Sequence, residues 1–264
     1  MRRKGNFVLS TQTRIELAER LATAEITRRP IAPLPVIDVV DAYEIQLLNI
    51  RRRVESGATI VGHKVGLSSL AMQQMMGVDE PDYGHLLADM EVFEDVPVVA
   101  GRFCFPRVEV EVAFLLGEDL PGEGCTVDDV LAATEYVAPS IELIDSRIEN
   151  WKIGLSDTIA DNASSAGFVL GEQRVRPSDI DLLGIDAVLW RNGEVAAKGR
   201  SDAVLGNPVT AVSWLARKVA GFGVRLKKGD IVLPGSCTRA IDAEAGDSFR
   251  AEFTGLGTVS LEFT

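Results

Sequence analysis

Nitrogen and sulfur ligands are scarce in this chain: two histidines and three cysteines in 264 residues. Cys104, Cys125 and Cys237 are scattered and form no CxxC pair, and His63 and His85 are not clustered with them, so a zinc site is not expected. An odd, sparse cysteine set suits a reducing cytoplasm better than a disulfide framework. There is no GxSxG, which with so few histidines argues against a Ser-His-Asp hydrolase. No GxGxxG follows a strand pattern and no Walker A sequence occurs, so dinucleotide and NTP binding are disfavoured. Positive charge is also in deficit. With 27 Lys and Arg against 39 Asp and Glu, the net charge is -12, and no basic patch with interleaved aromatics is present. Nucleic acid and anionic membrane are therefore not expected partners. No apolar run approaches a bilayer span, and the basic start is followed only by Phe7 to Leu9, too short for a signal peptide. Without such a signal, Asn162-Ala163-Ser164 is read as a chance match to the glycosylation sequon.

What is present is an ordinary globular composition, long enough for one large domain or two smaller ones. Thr13-Arg-Ile-Glu16 has the capping-box pattern, followed by Ile15, Ala18, Leu21, Ala22 and Ile26 at helical spacing up to Arg29-Pro30. Asp38 is placed to cap a second helix ended by Gly57. Residues 59–67 read as a strand, and Ser68 or Ser69 starts a short helix through Met76, with Met72, Met75 and Met76 expected to pack. Thr126 caps an apparent helix from Val127 to Val137. Asn192-Gly193 is the strongest short hairpin signal. Asn207-Pro208 opens a helix closed by Gly221, Lys228-Gly-Asp230 turns into the strand Ile231–Leu233, and Gly255-Leu-Gly257 joins a terminal hairpin. This pattern divides the chain into an N-terminal α/β region, 1–97, and a β-rich catalytic region, 98–264.

The most informative stretch is 107–116, Arg-Val-Glu-Val-Glu-Val-Ala-Phe-Leu-Leu. Its alternation predicts a strand with Val108, Val110 and Val112 on one face. Glu109 and Glu111 share the other, roughly 6–7 Å apart at about 3.3 Å per residue. Like charges held that close repel unless a cation or a proton lies between them. With Glu142, three carboxylates and no nearby soft ligand suit a hard divalent ion such as Mg2+ or Mn2+. The plain alternative is a half-exposed strand whose solvated face is acidic. Lys64, between apolar strand residues, is either a snorkelling edge lysine or a desolvated one available for proton transfer. Asp82 falls in Glu80-Pro-Asp-Tyr-Gly84, good turn chemistry. Ser164 and Ser165, in a small-residue segment, and Gly235 and Ser236, after a strand, are placed either to meet a ligand or simply to form loops.

Taken in order, Gly62-His-Lys-Val-Gly-Leu67, Pro81-Asp-Tyr-Gly-His-Leu86, Pro106-Arg-Val-Glu-Val-Glu-Val112, Ile141-Glu-Leu-Ile-Asp-Ser-Arg147, Asp157-Thr-Ile-Ala-Asp-Asn-Ala163, Val204-Leu-Gly-Asn-Pro208 and Gly229-Asp-Ile-Val232 resemble the 2-keto-4-pentenoate hydratase / 4-oxalocrotonate decarboxylase family of the fumarylacetoacetate-hydrolase-like superfamily. The resemblance covers roughly residues 10–264. It implies an α+β fold, a mixed β-roll with a smaller helical N-terminal region. It implies that Glu109, Glu111 and Glu142 bind Mg2+ or Mn2+, that Lys64 and Asp82 handle protons, and that Ser164, Ser165, Gly235 and Ser236 border the substrate. Gly62 to Val92 and the tail from Leu226 look like dienoate hydratases of aromatic and steroid ring degradation in actinobacteria. The implied reaction is water addition to 2-hydroxypenta- or 2-hydroxyhexa-2,4-dienoate, giving a 4-hydroxy-2-oxoacid. Gly235-Ser-Cys-Thr-Arg239 also fits 4-oxalocrotonate decarboxylases, so that activity is the alternative; a non-catalytic ligand-binding member is the other. A homo-oligomer and association with a 4-hydroxy-2-oxoacid aldolase are the implied assemblies.

Overall fold

Ser10 starts the first helix: its backbone is extended and its hydroxyl accepts from the Thr13 N–H, so α1 runs Thr11–Thr27. The cap expected at Thr13 thus lies three residues earlier, where a serine supplies the same chemistry. The computed structural model describes residues 9–264, without the side chains of Ala71, Met75 and Met76. The basic N-terminal stretch, and the packing expected of Met75 and Met76, lie outside that set. Leu17, Ala18, Leu21 and Ala24 form the buried stripe of α1, whereas Ile26 is exposed. Helix α2, Val39–Glu55, packs beside it and is capped as expected, Asp38 accepting from the Asp41 N–H. Buried Asp41 accepts from Arg14 Nε at 2.7 Å, which ties the two helices together.

The chain then enters a mixed sheet through β1, Ile60–Gly66. Helix α3, Leu70–Met76, follows its cap Ser69; Met72 on it is exposed rather than packed. Strand β2, Asp82–Leu87, pairs antiparallel with β1. Strand β3, Arg107–Leu116, is the alternating stretch, and short helix α4, Val127–Ala133, follows it. The helix expected to reach Val137 stops at Ala133, because Thr134 turns extended and a β-prone run, Thr-Glu-Tyr-Val, begins β4, Thr134–Ile144. After α5, Leu155–Ala160, comes β5, Ser165–Leu170.

The hairpin at Asn192-Gly193 joins β6, Asp186–Arg191, to β7, Glu194–Arg200, and α6, Pro208–Ala220, follows. Strands β8, Ile231–Leu233, and β9, Ile241–Asp242, return to the first sheet. The terminal hairpin is β10, Ser248–Phe253, with β11, Gly257–Glu262. The first sheet has the order β2-β1-β8-β3-β4-β5, with β9 on β3 and one parallel pair, β1 with β8. The second, β11-β10-β6-β7, is antiparallel and packs on β4. This is the expected α+β architecture. Val108, Val110, Val112 and Phe114 sit in the core between the layers. Among the described residues, no helix is long and apolar enough to cross a membrane.

Candidate active site

The register between β3 and β4 builds the site. Glu109 stands opposite Glu142, and Glu111 opposite Ser140, so the three carboxylates project from one face of the ladder. One oxygen from each lies within 4.8 Å of the others. Glu111 and Glu142 are fully buried and Glu109 is half-buried, so the acidic face of β3 is not a solvated one.

Strand β1 adds a cation. Lys64 is 2% exposed; its Nζ lies 3.4 Å from Glu142 Oε2 and donates to the Ala163 carbonyl at 2.9 Å. Asp82 does not sit in the turn that its neighbours suggested. It begins β2, buried, opposite Gly66. A Cβ on Gly66 would fall 2.2 Å from Asp82 Oδ1 and 2.9 Å from Lys64 Nζ, so bare backbone there lets the two charged groups approach.

The small-residue segment closes another side. Asn162, Ala163 and Ser164 have φ of 53, 51 and 55°, a left-handed run that costs about 1–2 kcal/mol per non-glycine residue. It leaves the Ser164 hydroxyl buried without a hydrogen-bond partner, and the Ser165 hydroxyl without one of full geometry, although it stands close enough to Glu142 to stabilise that carboxylate. Gly235 N–H donates to Glu111 Oε2 at 2.7 Å. The Ser236 hydroxyl is occupied elsewhere, accepting from Val110 N–H at 3.1 Å and donating to its carbonyl at 3.3 Å.

Four carboxylates around one ammonium leave a strong excess of negative charge. Burial raises Glu109, Lys64 opposes this, and Glu142 adds to it, leaving its carboxyl at about 7. Burial, then Glu142 and Glu109, push Glu111 well above the ordinary range, and burial raises Glu142 against the pull of Lys64. Burial alone would lower Lys64, but Glu142, Asp82, Glu109 and Glu111 raise it, keeping it an ammonium.

Asp82 Oδ1, Glu111 Oε1, both Glu142 oxygens and the Ser164 and Ser165 hydroxyls are all buried without a partner of full hydrogen-bond geometry. Buried polar atoms are rarely left so. A set of hard carboxylate and hydroxyl oxygens with unfilled hydrogen-bonding capacity fits a hard divalent cation together with an oxygen-rich ligand.

Sequence reasoning passed over Gly66 and Gly84. Both belong to the ladder around Lys64: Gly66 two residues on along the same face, Gly84 directly opposite. A lysine framed by glycines at strand period 2 is a legible sign of a side chain given room. Arg147 and Asp161 lie in segments that the sequence marks, the second within the polar small-residue stretch, but nothing local pairs one with the other.

The profile of the fumarylacetoacetate (FAA) hydrolase C-terminal family matches residues 74–264. The chain is 44% identical over 253 residues to 2-hydroxyhexa-2,4-dienoate hydratase of Comamonas testosteroni, covering 93% of this chain and 96% of that one. It is 46% identical over 260 residues to 2-keto-4-pentenoate hydratase 1 of Dechloromonas aromatica (strain RCB), covering 97% and 98%. Among solved structures it matches 4-oxalocrotonate decarboxylase from Pseudomonas putida G7, complexed with magnesium and adipate. That match has a TM-score of 0.94 at 35% identity, over 97% of this chain and 99% of the other.

Proposed function

The chain belongs to the fumarylacetoacetate hydrolase family, and from that premise we propose that it is a metal-dependent hydro-lyase. It adds water to a five- or six-carbon 2-hydroxy-2,4-dienoate, giving a 4-hydroxy-2-oxoacid. The observation that carries this reading is the carboxylate trio, in which fully buried Glu111 and Glu142 have oxygens without a full hydrogen-bond partner, set beside an ammonium and a fourth carboxylate. Glu109, Glu111 and Glu142 would hold Mg2+ or Mn2+. When bound, such an ion supplies Lewis-acid polarisation of the substrate's 2-oxygen.

The protein's own groups handle the protons. Lys64, whose Nζ stands 3.4 Å from Glu142 Oε2 and 2.9 Å from the Ala163 carbonyl, can deliver a proton to C5 and take up in return the one the 2-hydroxyl gives up. Asp82 Oδ1 is free to take a proton from the water that adds at C4 and to return it to C3. The hydroxyls of Ser164 and Ser165 would orient the substrate carboxylate. Gly235 and Ser236 support the β3 side of the site from behind, the first through Glu111 and the second through the Val110 backbone. Catabolism of aromatic or steroid rings in the cytoplasm, a homo-oligomeric state and a neighbouring 4-hydroxy-2-oxoacid aldolase complete the proposed setting.

The test follows the ultraviolet absorbance of 2-hydroxypenta-2,4-dienoate with and without EDTA. Loss of the conjugated band, accumulation of 4-hydroxy-2-oxopentanoate and abolition by EDTA are expected. Undiminished turnover after metal stripping, or no turnover at all, would count against the scheme. Decarboxylation is the second reading, favoured by the Gly235-Ser-Cys-Thr-Arg239 segment; CO2 release from 4-oxalocrotonate would establish it.

A further inference from the structure

The left-handed run Asn162–Ser164 is held by contacts from outside it. Arg147, 5% exposed, donates Nε to Asp161 Oδ1 at 2.6 Å and its backbone N–H to Asp161 Oδ2 at 2.9 Å. Its Nη2 donates to the Asp161 carbonyl at 2.5 Å, and its Nη1 to the carbonyls of Asp145 at 2.8 Å and Ser165 at 3.3 Å. One guanidinium therefore grips the residue before the run and the residue after it. Asn162 closes the middle, exchanging hydrogen bonds with the His85 backbone at 2.8 and 2.9 Å. Gly84 is required beneath it, since a Cβ there would lie 2.5 Å from the Asn162 carbonyl.

The carbonyls of this segment go to different partners. That of Asp161 accepts from Arg147, that of Asn162 from the Ser165 N–H, that of Ser164 from the Asp145 N–H and that of Ser165 from Arg147. The Ala163 carbonyl, at the centre of the run, accepts instead from Lys64 Nζ. An ordinary right-handed turn would aim that carbonyl elsewhere. Strain of this kind persists only where the surroundings over-determine it, and it collects at functional sites.

We propose that Arg147 is a positioning residue: by clamping Asp161 and Ser165 around the left-handed run, it aims the Ala163 carbonyl and so fixes where the Lys64 side chain stands beside Glu142. The claim rests on the proposed part of Lys64 in the reaction. A lysine at position 147 keeps the charge but lacks the planar fork that reaches both ends.

The test is a double-mutant cycle in the Mg2+-loaded enzyme. Arg147→Lys is expected to lower kcat by about tenfold to a hundredfold, the order that displacing a reacting group by an ångström produces. KM and Mg2+ affinity stay within about twofold. In a Lys64→Arg background, which retains a cation at the wrong length, the same change has little further effect on kcat. Equal fractional losses in both backgrounds, or a loss carried by KM or by metal affinity, would show a general structural role and overturn the proposal. Wild-type turnover by Lys64→Arg alone would instead refute the role of Lys64, and the positioning claim with it. Should Arg147→Lys fail to fold, Asp161→Asn enters the same cycle, weakening one end of the clamp by removing its charged acceptor while the backbone-carbonyl contact stays, and is read by the same criteria.

Discussion

Two buried charged groups lie side by side in this molecule, and they are built on opposite plans. In the pair Arg147–Asp161, both side chains are almost fully buried, and the guanidinium and both carboxylate oxygens are engaged by neighbouring backbone and by each other. In the cluster of Glu109, Glu111, Glu142, Asp82 and Lys64, carboxylates outnumber the cation and several oxygens have no partner. Burying charge is costly unless it is paired and hydrogen-bonded. The first group meets that condition from within the protein; the second meets it only when something else enters. That difference separates a brace from a site, and it was not announced by charge alone, since both groups combine carboxylates with a basic side chain.

The largest effect that would sharpen this contrast is on turnover. Glu142→Gln should cut metal-dependent activity by more than about a hundredfold, since even outer-shell partners of a metal cost about 10–100-fold. The melting temperature of Glu111→Gln without metal should hold or rise, because one of the carboxylates crowded around a single ammonium is neutralised while Lys64 keeps its Glu142 partner; calorimetry alongside the dienoate assay checks both. Asp161→Ala should do the reverse in kind. It strands the Arg147 guanidinium and should cost about 3–5 kcal/mol of stability, read from denaturant midpoints.

A third measurement addresses the opposite face of β1, where His63 and His85 are paired across the ladder. Burial lowers His63 to about 4, and burial with the neighbouring His63 lowers His85 well below its usual value. Neutral in the fold, they contribute stability that is complete above pH 6.5 and lost as the pH falls toward 4. For His63 this amounts to roughly 3 kcal/mol. His63→Gln should therefore flatten the acid limb of stability against pH, compared with wild type at saturating Mg2+. The smallest effect concerns the glycine behind the trio. A Cβ at Gly235, where φ is +124°, would lie 1.8 Å from Ser68 Oγ. Gly235→Ala should cost about 1–3 kcal/mol and weaken Mg2+ binding by displacing the N–H that holds Glu111, as isothermal titration would show.

Much of this architecture could be read from local pattern, and the exceptions have physical causes. Alternation through Val108–Val112 placed two glutamates on one face, because a strand's period is fixed at two. Asp38, Asn192-Gly193 and Asn207-Pro208 marked their elements because caps and turns are decided within a few residues. The helix expected through Val137 was broken by tertiary pairing: Phe114 and Leu115 recruit Val137 and Tyr136 into the ladder. Asp82 looked like a turn residue because Pro81 and Gly84 surround it, yet the pairing with β1 draws it into a strand. Ser236 shares its segment with Gly235, but its hydroxyl is spent on the β3 backbone, which nothing in the segment announces.

The order of residues alone determined which carboxylates could share a strand face and that no soft ligands would compete with them. It also determined that the surrounding elements would be strands rather than long helices. Those properties follow from side-chain chemistry and backbone period, which act over short range. Only the tertiary structure decided that Glu142 would face Glu109, that Lys64 would reach them across β8, and that Arg147 and Asp161 would be fully paired while the carboxylates around Lys64 were not. Each of those depends on register and burial between segments far apart in the chain, and burial is what turns an ordinary ionisable group into either a strut or a reactive one.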